Sequence, residues 1–158
     1  MSKNYRIYLD ACCLNRPFDD QMQSRIALET QAILAIISQC ELGTWRLITS
    51  TALEAELEQT PDLERLKNVR KILLIAKIKV FSSQFITDRT ASLQKIGFYN
   101  YDAAHIASAE RSLADIFLTT DDRLLKKAQN NSQSINININ NPMQWLVKVV
   151  QTEENNNE

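Results

Sequence analysis

Short apolar runs separated by helix-patterned stretches extend along this chain, and carboxylates follow closely behind them. Ile7-Tyr8-Leu9 leads into Asp10, Leu47-Ile48 is followed by Glu54 and Glu56, and Phe117-Leu118 by Asp121 and Asp122. A further acidic stretch, Tyr101-Asp102-Ala103-Ala104-His105, opens a helix-patterned segment. Strands alternating with helices favour a parallel sheet covered on both faces. The expected fold class is therefore α/β, a three-layer α/β/α sandwich around a short, mostly parallel central sheet. Carboxylates at strand ends in such a sheet converge on one crevice, where ligands bind. Gathered there, they repel one another unless a divalent cation neutralises them. Hard oxygen donors suit Mg²⁺ or Mn²⁺.

Periodicity places the elements. Tyr5–Leu9 reads as the first, central strand, and Ser24–Cys40 as a long helix with Ile26, Ile33 and Ile37 on one face and Gly43 as its stop. Trp45–Ser50 reads as a strand and Thr51–Gln59 as a short helix. Thr60-Pro61-Asp62 reads as a cap with proline at the first helical position. A strand over 78–82 and helices over 84–96 and 101–113 follow, then a strand over 116–119 and a helix over 121–129. Residues 134–140 alternate Ile135, Ile137 and Ile139 with polar residues, the pattern of a half-buried strand, and Pro142 opens a last helix to Val150.

Length and composition narrow the classes. At 158 residues the chain can bury a core as one domain over 1–150, leaving an acidic, asparagine-rich tail at 151–158 that is expected to be disordered. No apolar run is long enough to span a bilayer. Met1–Arg6 lacks the basic and apolar regions of a secretory signal, so a cytoplasmic location is expected. Cys12, Cys13 and Cys40 are an odd set with an adjacent pair, a poor disulfide framework. With one histidine and no Cys-x-x-Cys spacing, a structural zinc site is not expected. A net charge of −1 gives no global basic field for nucleic acid. Two glycines leave no phosphate loop of the Walker or dinucleotide kind.

Among the glutamates after the second strand, helical phase at about 100° per residue puts Glu56 on the arc of Ala52, Leu53 and Leu57. Glu54 and Glu58 fall on the opposite side. A carboxylate on an apolar face is costly without a partner, and a metal would be one. Asp102, Asp121 and Asp122 each stand at a helix start, where capping is the competing role.

Together the four acidic stretches resemble the PIN-domain ribonuclease family, the fold of many bacterial toxin–antitoxin toxins. The motifs are Asp10 closing a hydrophobic strand, Leu53-x-x-Glu56-Leu57, Asp102-Ala103-Ala104-His105-Ile106-Ala107 and Leu118-Thr119-Thr120-Asp121, spread from Tyr5 to about Val149. The family has a small polar residue two positions after the first aspartate, where this chain has Cys12. The resemblance implies a single PIN-like domain with Asp10, Glu56, Asp102 and Asp121 as catalytic residues and ligands of Mg²⁺ or Mn²⁺. Thr119 and Asp122 would support them, and His105 would back the site from outside the catalytic set. It further implies hydrolysis of single-stranded RNA by metal-activated water, with an antitoxin protein as partner if the chain is a toxin, a homodimer as one open assembly, and no membrane role.

Two rivals compete. A PIN-like module that binds RNA or protein without cutting would have lost acidic positions, and none is lost here. Aspartyl-phosphate phosphatases and receiver domains also end their first strand in aspartate. The phosphatases need a second aspartate where Cys12 stands, and receivers need a lysine near Asn140 that this chain lacks.

Overall fold

The computed structural model describes residues 3–156. The chain begins with β1 (Arg6–Leu9), α1 (Ala11–Asn15), α2 (Ser24–Glu41), β2 (Arg46–Ser50) and α3 (Thr51–Leu57). It continues through α4 (Leu63–Leu73), β3 (Ile78–Val80), α5 (Gln84–Ile96) and α6 (Asn100–Arg111). Last come β4 (Ile116–Leu118), α7 (Asp122–Asn130), β5 (Ile139–Asn140) and α8 (Pro142–Asn156). The strands form one sheet in the order β3-β2-β1-β4-β5, and every pairing is parallel. The fold is the expected three-layer sandwich, with the expected mostly parallel sheet being parallel throughout.

Parallel pairing on both edges buries β1. Ile7, Tyr8 and Leu9 are inaccessible to solvent, as are Ile48, Phe117 and Leu118 from the flanking strands. Tyr8 lies opposite Ile48 on one side and Phe117 on the other, and its ring stacks on Phe117 at 5.3 Å. The ladder runs past the strand's end, because the Asp10 N–H donates to the Leu118 carbonyl at 2.9 Å. At the opposite end of the sheet Tyr5, Trp45 and Trp145 form an edge-on aromatic cluster that anchors α8. Elsewhere α2 packs on α8, and α6 packs on both α5 and α3. Small side chains allow the last contact, since Ala103, Ala107 and Ala109 are fully buried in α6.

Gly43 ends α2 as expected. Its φ of +83° lets the Gly43 and Thr44 N–H groups fold back onto the Cys40 and Gln39 carbonyls. Four expectations need correction. Asp62, not Thr60, caps α4, its carboxylate accepting from the Glu64 and Arg65 N–H groups at 3.1 Å, so Pro61 stands before the cap. The strand expected over 134–140 shrinks to Ile139–Asn140. Its first half is held instead by an ion pair: Arg89 donates to the Ser134 carbonyl, and Glu110 accepts from the Asn136 N–H. Helix α8 runs to Asn156, where a disordered tail from 151 is expected, and residues 157–158 lie outside the described residues. Helix α1 was not anticipated; it starts because the Asp10 carboxylate accepts from the Ala11 N–H.

A buried charge ties the segments around the crevice. Glu29 of α2 is inaccessible, with Arg16 Nη2 at 3.0 Å and Arg25 Nε at 3.3 Å. Its Oε2 also accepts from Asn141 Nδ2 at 2.7 Å, while Asn141 Oδ1 caps α8 through the Met143 N–H. Glu29→Ala would strand Arg16 and Asn141 with unmet polar groups. It is expected to lower stability by about 3 kcal/mol, measured by urea denaturation.

Candidate functional site

Strand order reverses direction between β1 and β4, and that switch opens the crevice where ligands of such sheets bind. Register sets Ser50, the last residue of β2, level with Asp10 and Thr119, which stand just beyond the carboxyl ends of β1 and β4. Asp10 is only 6% exposed. Its Oδ1 accepts from the Ala11 N–H at 2.8 Å and its Oδ2 from the Thr119 hydroxyl at 2.8 Å. The Cys12 thiol adds a contact to Oδ2 at 3.4 Å, at the position where the PIN family has a small polar residue. Burial raises the Asp10 carboxyl above its ordinary range; His105 and the Thr119 bond oppose the rise, and Glu56 adds to it.

Glu56 points from α3 toward the same place, its Oε1 2.8 Å from His105 Nε2. Glu54 turns away to pair with Lys79 of β3 at 2.8 Å, and Glu58 pairs with Arg70. His105 Nε2 lies 3.9 Å from Asp10 Oδ1. Asp10, Glu56 and His105 each offer one donor atom within 4.8 Å of the others. Two carboxylates and an imidazole at that spacing are a donor set that fits a divalent cation.

His105 is held from behind. Its Nδ1 meets the Tyr8 hydroxyl at 2.8 Å, and that hydroxyl meets Ser50 Oγ at 2.6 Å. Ser50 in turn accepts the Leu53 N–H as the cap of α3. Tyr8 and Ser50 were not among the residues singled out from sequence. The signal was present: a tyrosine inside a buried strand must find a partner for its hydroxyl.

Asp102 stands one turn before His105 on α6. Its carboxyl is pushed up to about 6, by burial first, then by Asp10, with Asp121 and Glu56 adding to the rise. The Asp102 carboxyl thus feels the charges of the other three acids chosen from sequence. Asp121 caps α7, its Oδ1 accepting from the Arg123 and Leu124 N–H groups, and its own N–H donates to Thr119 Oγ1 at 3.1 Å. The sequence left both aspartates open as caps, and the structure gives the cap to Asp121 rather than to Asp122. That residue instead holds Arg25 through two 2.7 Å bonds on the exposed side, away from the buried cluster.

No protein-family model and no curated protein matches this chain. Solved structures do. VapBC-1 from nontypeable Haemophilus influenzae aligns with a TM-score of 0.53 at 15% identity, covering 87% of this chain and 98% of that one. PAE2754 from Pyrobaculum aerophilum aligns at 0.54 and 16% identity, covering 96% and 99%. VapBC2 from Rickettsia felis, solved with a DNA fragment from its promoter, aligns at 0.50 and 12% identity, covering 85% and 98%. The likeness is one of fold, and it agrees with the PIN-type fold that the acidic motifs led one to expect.

Two outcomes follow from the electrostatics. A carboxylate whose folded pKa is raised contributes stability that is complete below its unfolded pKa and lost as pH climbs through the folded value. Asp102→Asn removes that loss, so in EDTA its melting temperature should exceed the wild type's by a margin that widens between about pH 4 and pH 7. A constant margin would contradict the shift. At the other helix start, Asp121→Ala should cost about 1 kcal/mol by removing the cap. Asp121→Asn, whose amide oxygen still accepts, should melt near the wild-type temperature. Calorimetric melts of the two variants check this.

Proposed function

We propose that this chain is a divalent-metal-dependent endoribonuclease acting on single-stranded RNA, and the toxin of a toxin–antitoxin pair. The observation that carries the reading is the grouping of the Asp10 and Glu56 carboxylates with His105 within 4.8 Å, beside Asp102, whose carboxyl their charges help to raise. Arg16 and Arg25, the first two arginines after Asp10, are committed to Glu29, Asp19 and Asp122. An uncompensated negative crevice is unsuited to a phosphodiester until a cation enters it.

Asp10, Glu56, Asp102 and Asp121 would hold Mg²⁺ or Mn²⁺. The bound ion supplies an acidified water and positive charge at the scissile phosphate. The residues' own work is positional. Thr119 fixes one Asp10 oxygen by donating to it and fixes the α7 start by accepting from the Asp121 N–H. The Ala11 N–H fixes the other Asp10 oxygen. His105 orients Glu56, and Asp102 would complete the ligand set. An antitoxin partner belongs to this proposal, supported by the likeness to VapBC structures, and so do a cytoplasmic location and a homodimer as expectations from the sequence.

Labelled single-stranded RNA incubated with Mg²⁺, Mn²⁺ or EDTA tests the reading. Cleavage should require the ion and vanish in Asp10→Asn, with the fold intact by circular dichroism. Glu56→Gln should slow cleavage at least about tenfold, some 1.4 kcal/mol of transition-state stabilisation, and Glu54→Gln should be near neutral. Activity undiminished by EDTA would overturn the metal mechanism.

A further inference from the structure

We infer that His105 is itself a ligand of the divalent ion, a nitrogen donor added to the carboxylates, with Tyr8 and Ser50 holding its ring for that purpose. The inference rests on the functional reading above for the presence of an ion in the crevice and goes beyond it in the donor set.

Geometry admits the role. An ion about 2.1 Å from each donor keeps neighbouring donors roughly 3.0–3.4 Å apart. The Nε2 distances of 2.8 Å to Glu56 and 3.9 Å to Asp10 lie on either side of that range. The ring is inaccessible to solvent, with Tyr8 on its Nδ1 and the Tyr101 ring stacked at 6.2 Å. Nε2 is the ring nitrogen that faces the carboxylates.

Ligation requires the proton on Nδ1, and the hydrogen-bonded line accepts either tautomer. Without an ion, a carboxylate accepts at Nε2, so Nε2 carries the proton. Ser50 then donates to Tyr8, and Tyr8 donates to Nδ1. With an ion on Nε2, Nδ1–H donates to the Tyr8 oxygen, and Tyr8 donates to Ser50 Oγ across 2.6 Å. The proton released at Nε2 is matched by one gained at Nδ1, so the ring stays neutral. Histidines that bind metal almost always donate their second ring N–H to a fixed partner of this kind. An imidazole in the set shifts preference from Mg²⁺ toward Mn²⁺, Co²⁺ and Zn²⁺.

The chain has a single histidine, so imidazole signals from untagged protein belong to His105. Long-range ¹H–¹⁵N spectra should show the Nε2–H tautomer in EDTA and the Nδ1–H tautomer once Zn²⁺ is added. Calorimetry beside them should give Tyr8→Phe about tenfold or more weaker for Mn²⁺ and within about threefold of wild type for Mg²⁺. Persistence of the Nε2–H tautomer with an ion bound would overturn the inference, as would equal weakening for both ions, while RNA cleavage in the same sample would leave the nuclease reading standing. If wild-type protein binds no divalent ion at millimolar concentration, the nuclease reading falls and this inference falls with it.

Discussion

Strand β1 is hydrogen-bonded in parallel along both edges, and the geometry of the crevice follows from that. Its register with β2 and β4 brings Ser50 and Thr119 level with Asp10 although they lie far apart in sequence. Because Asp10 is still bonded through its N–H to Leu118, its carboxylate leaves the sheet at a fixed point and angle. A buried carboxylate needs donors, and the Ala11 N–H, Thr119 and Cys12 supply them. The same bonds start α1 and set the turn into α7. Positioning the acid and ending the strand are thus one event.

Two clusters of buried acid lie close to this switch point, and the difference between them carries the functional reading. Glu29 is met by two guanidinium groups and an amide, so its charge is compensated and it serves as a structural tie. Asp10 and Glu56 share the His105 imidazole, and among the described residues no lysine or arginine pairs with either. Like charges about 4 Å apart repel by about 4 kcal/mol at an effective dielectric near 20. Helix caps and single hydrogen bonds are worth about 1 kcal/mol each, too little to offset it. Burial raises the Asp102 and Asp10 carboxyls first, and the neighbouring acids add to the rise. An incoming cation would remove the repulsion, so the fold stores a binding preference at the cost of its own stability.

The hydrogen-bonded line from Ser50 through Tyr8 and His105 to Glu56 links the central strand to both helices that carry acids on that face. It also explains why a tyrosine is tolerated between Ile7 and Leu9 in a strand closed to solvent. Apolar substitution there would leave the imidazole unsupported at Nδ1. The lone histidine of the chain is therefore tied to the sheet as firmly as to the crevice.

Local periodicity was enough to read α5 at its observed limits, α2 to within a residue, and the turn of Glu56 toward the apolar side of α3. Helical bonds join residues four apart, and strand faces alternate every second residue, so these features are written in short windows. Asp10, Glu56, Asp102 and Asp121 stood out for the same reason, as acids next to such windows. The shortened β5 did not, because Arg89 and Glu110 capture its first half from two other helices. Nor did the choice of cap at α7, where Arg25 of α2 draws Asp122 outward and Asp121 takes the cap. Tyr8 meets Ser50 across 42 positions and His105 across 97. Contacts of that span exist only after parallel strands fix their register, and the register is set by burying whole strand faces at once, a condition no short window contains.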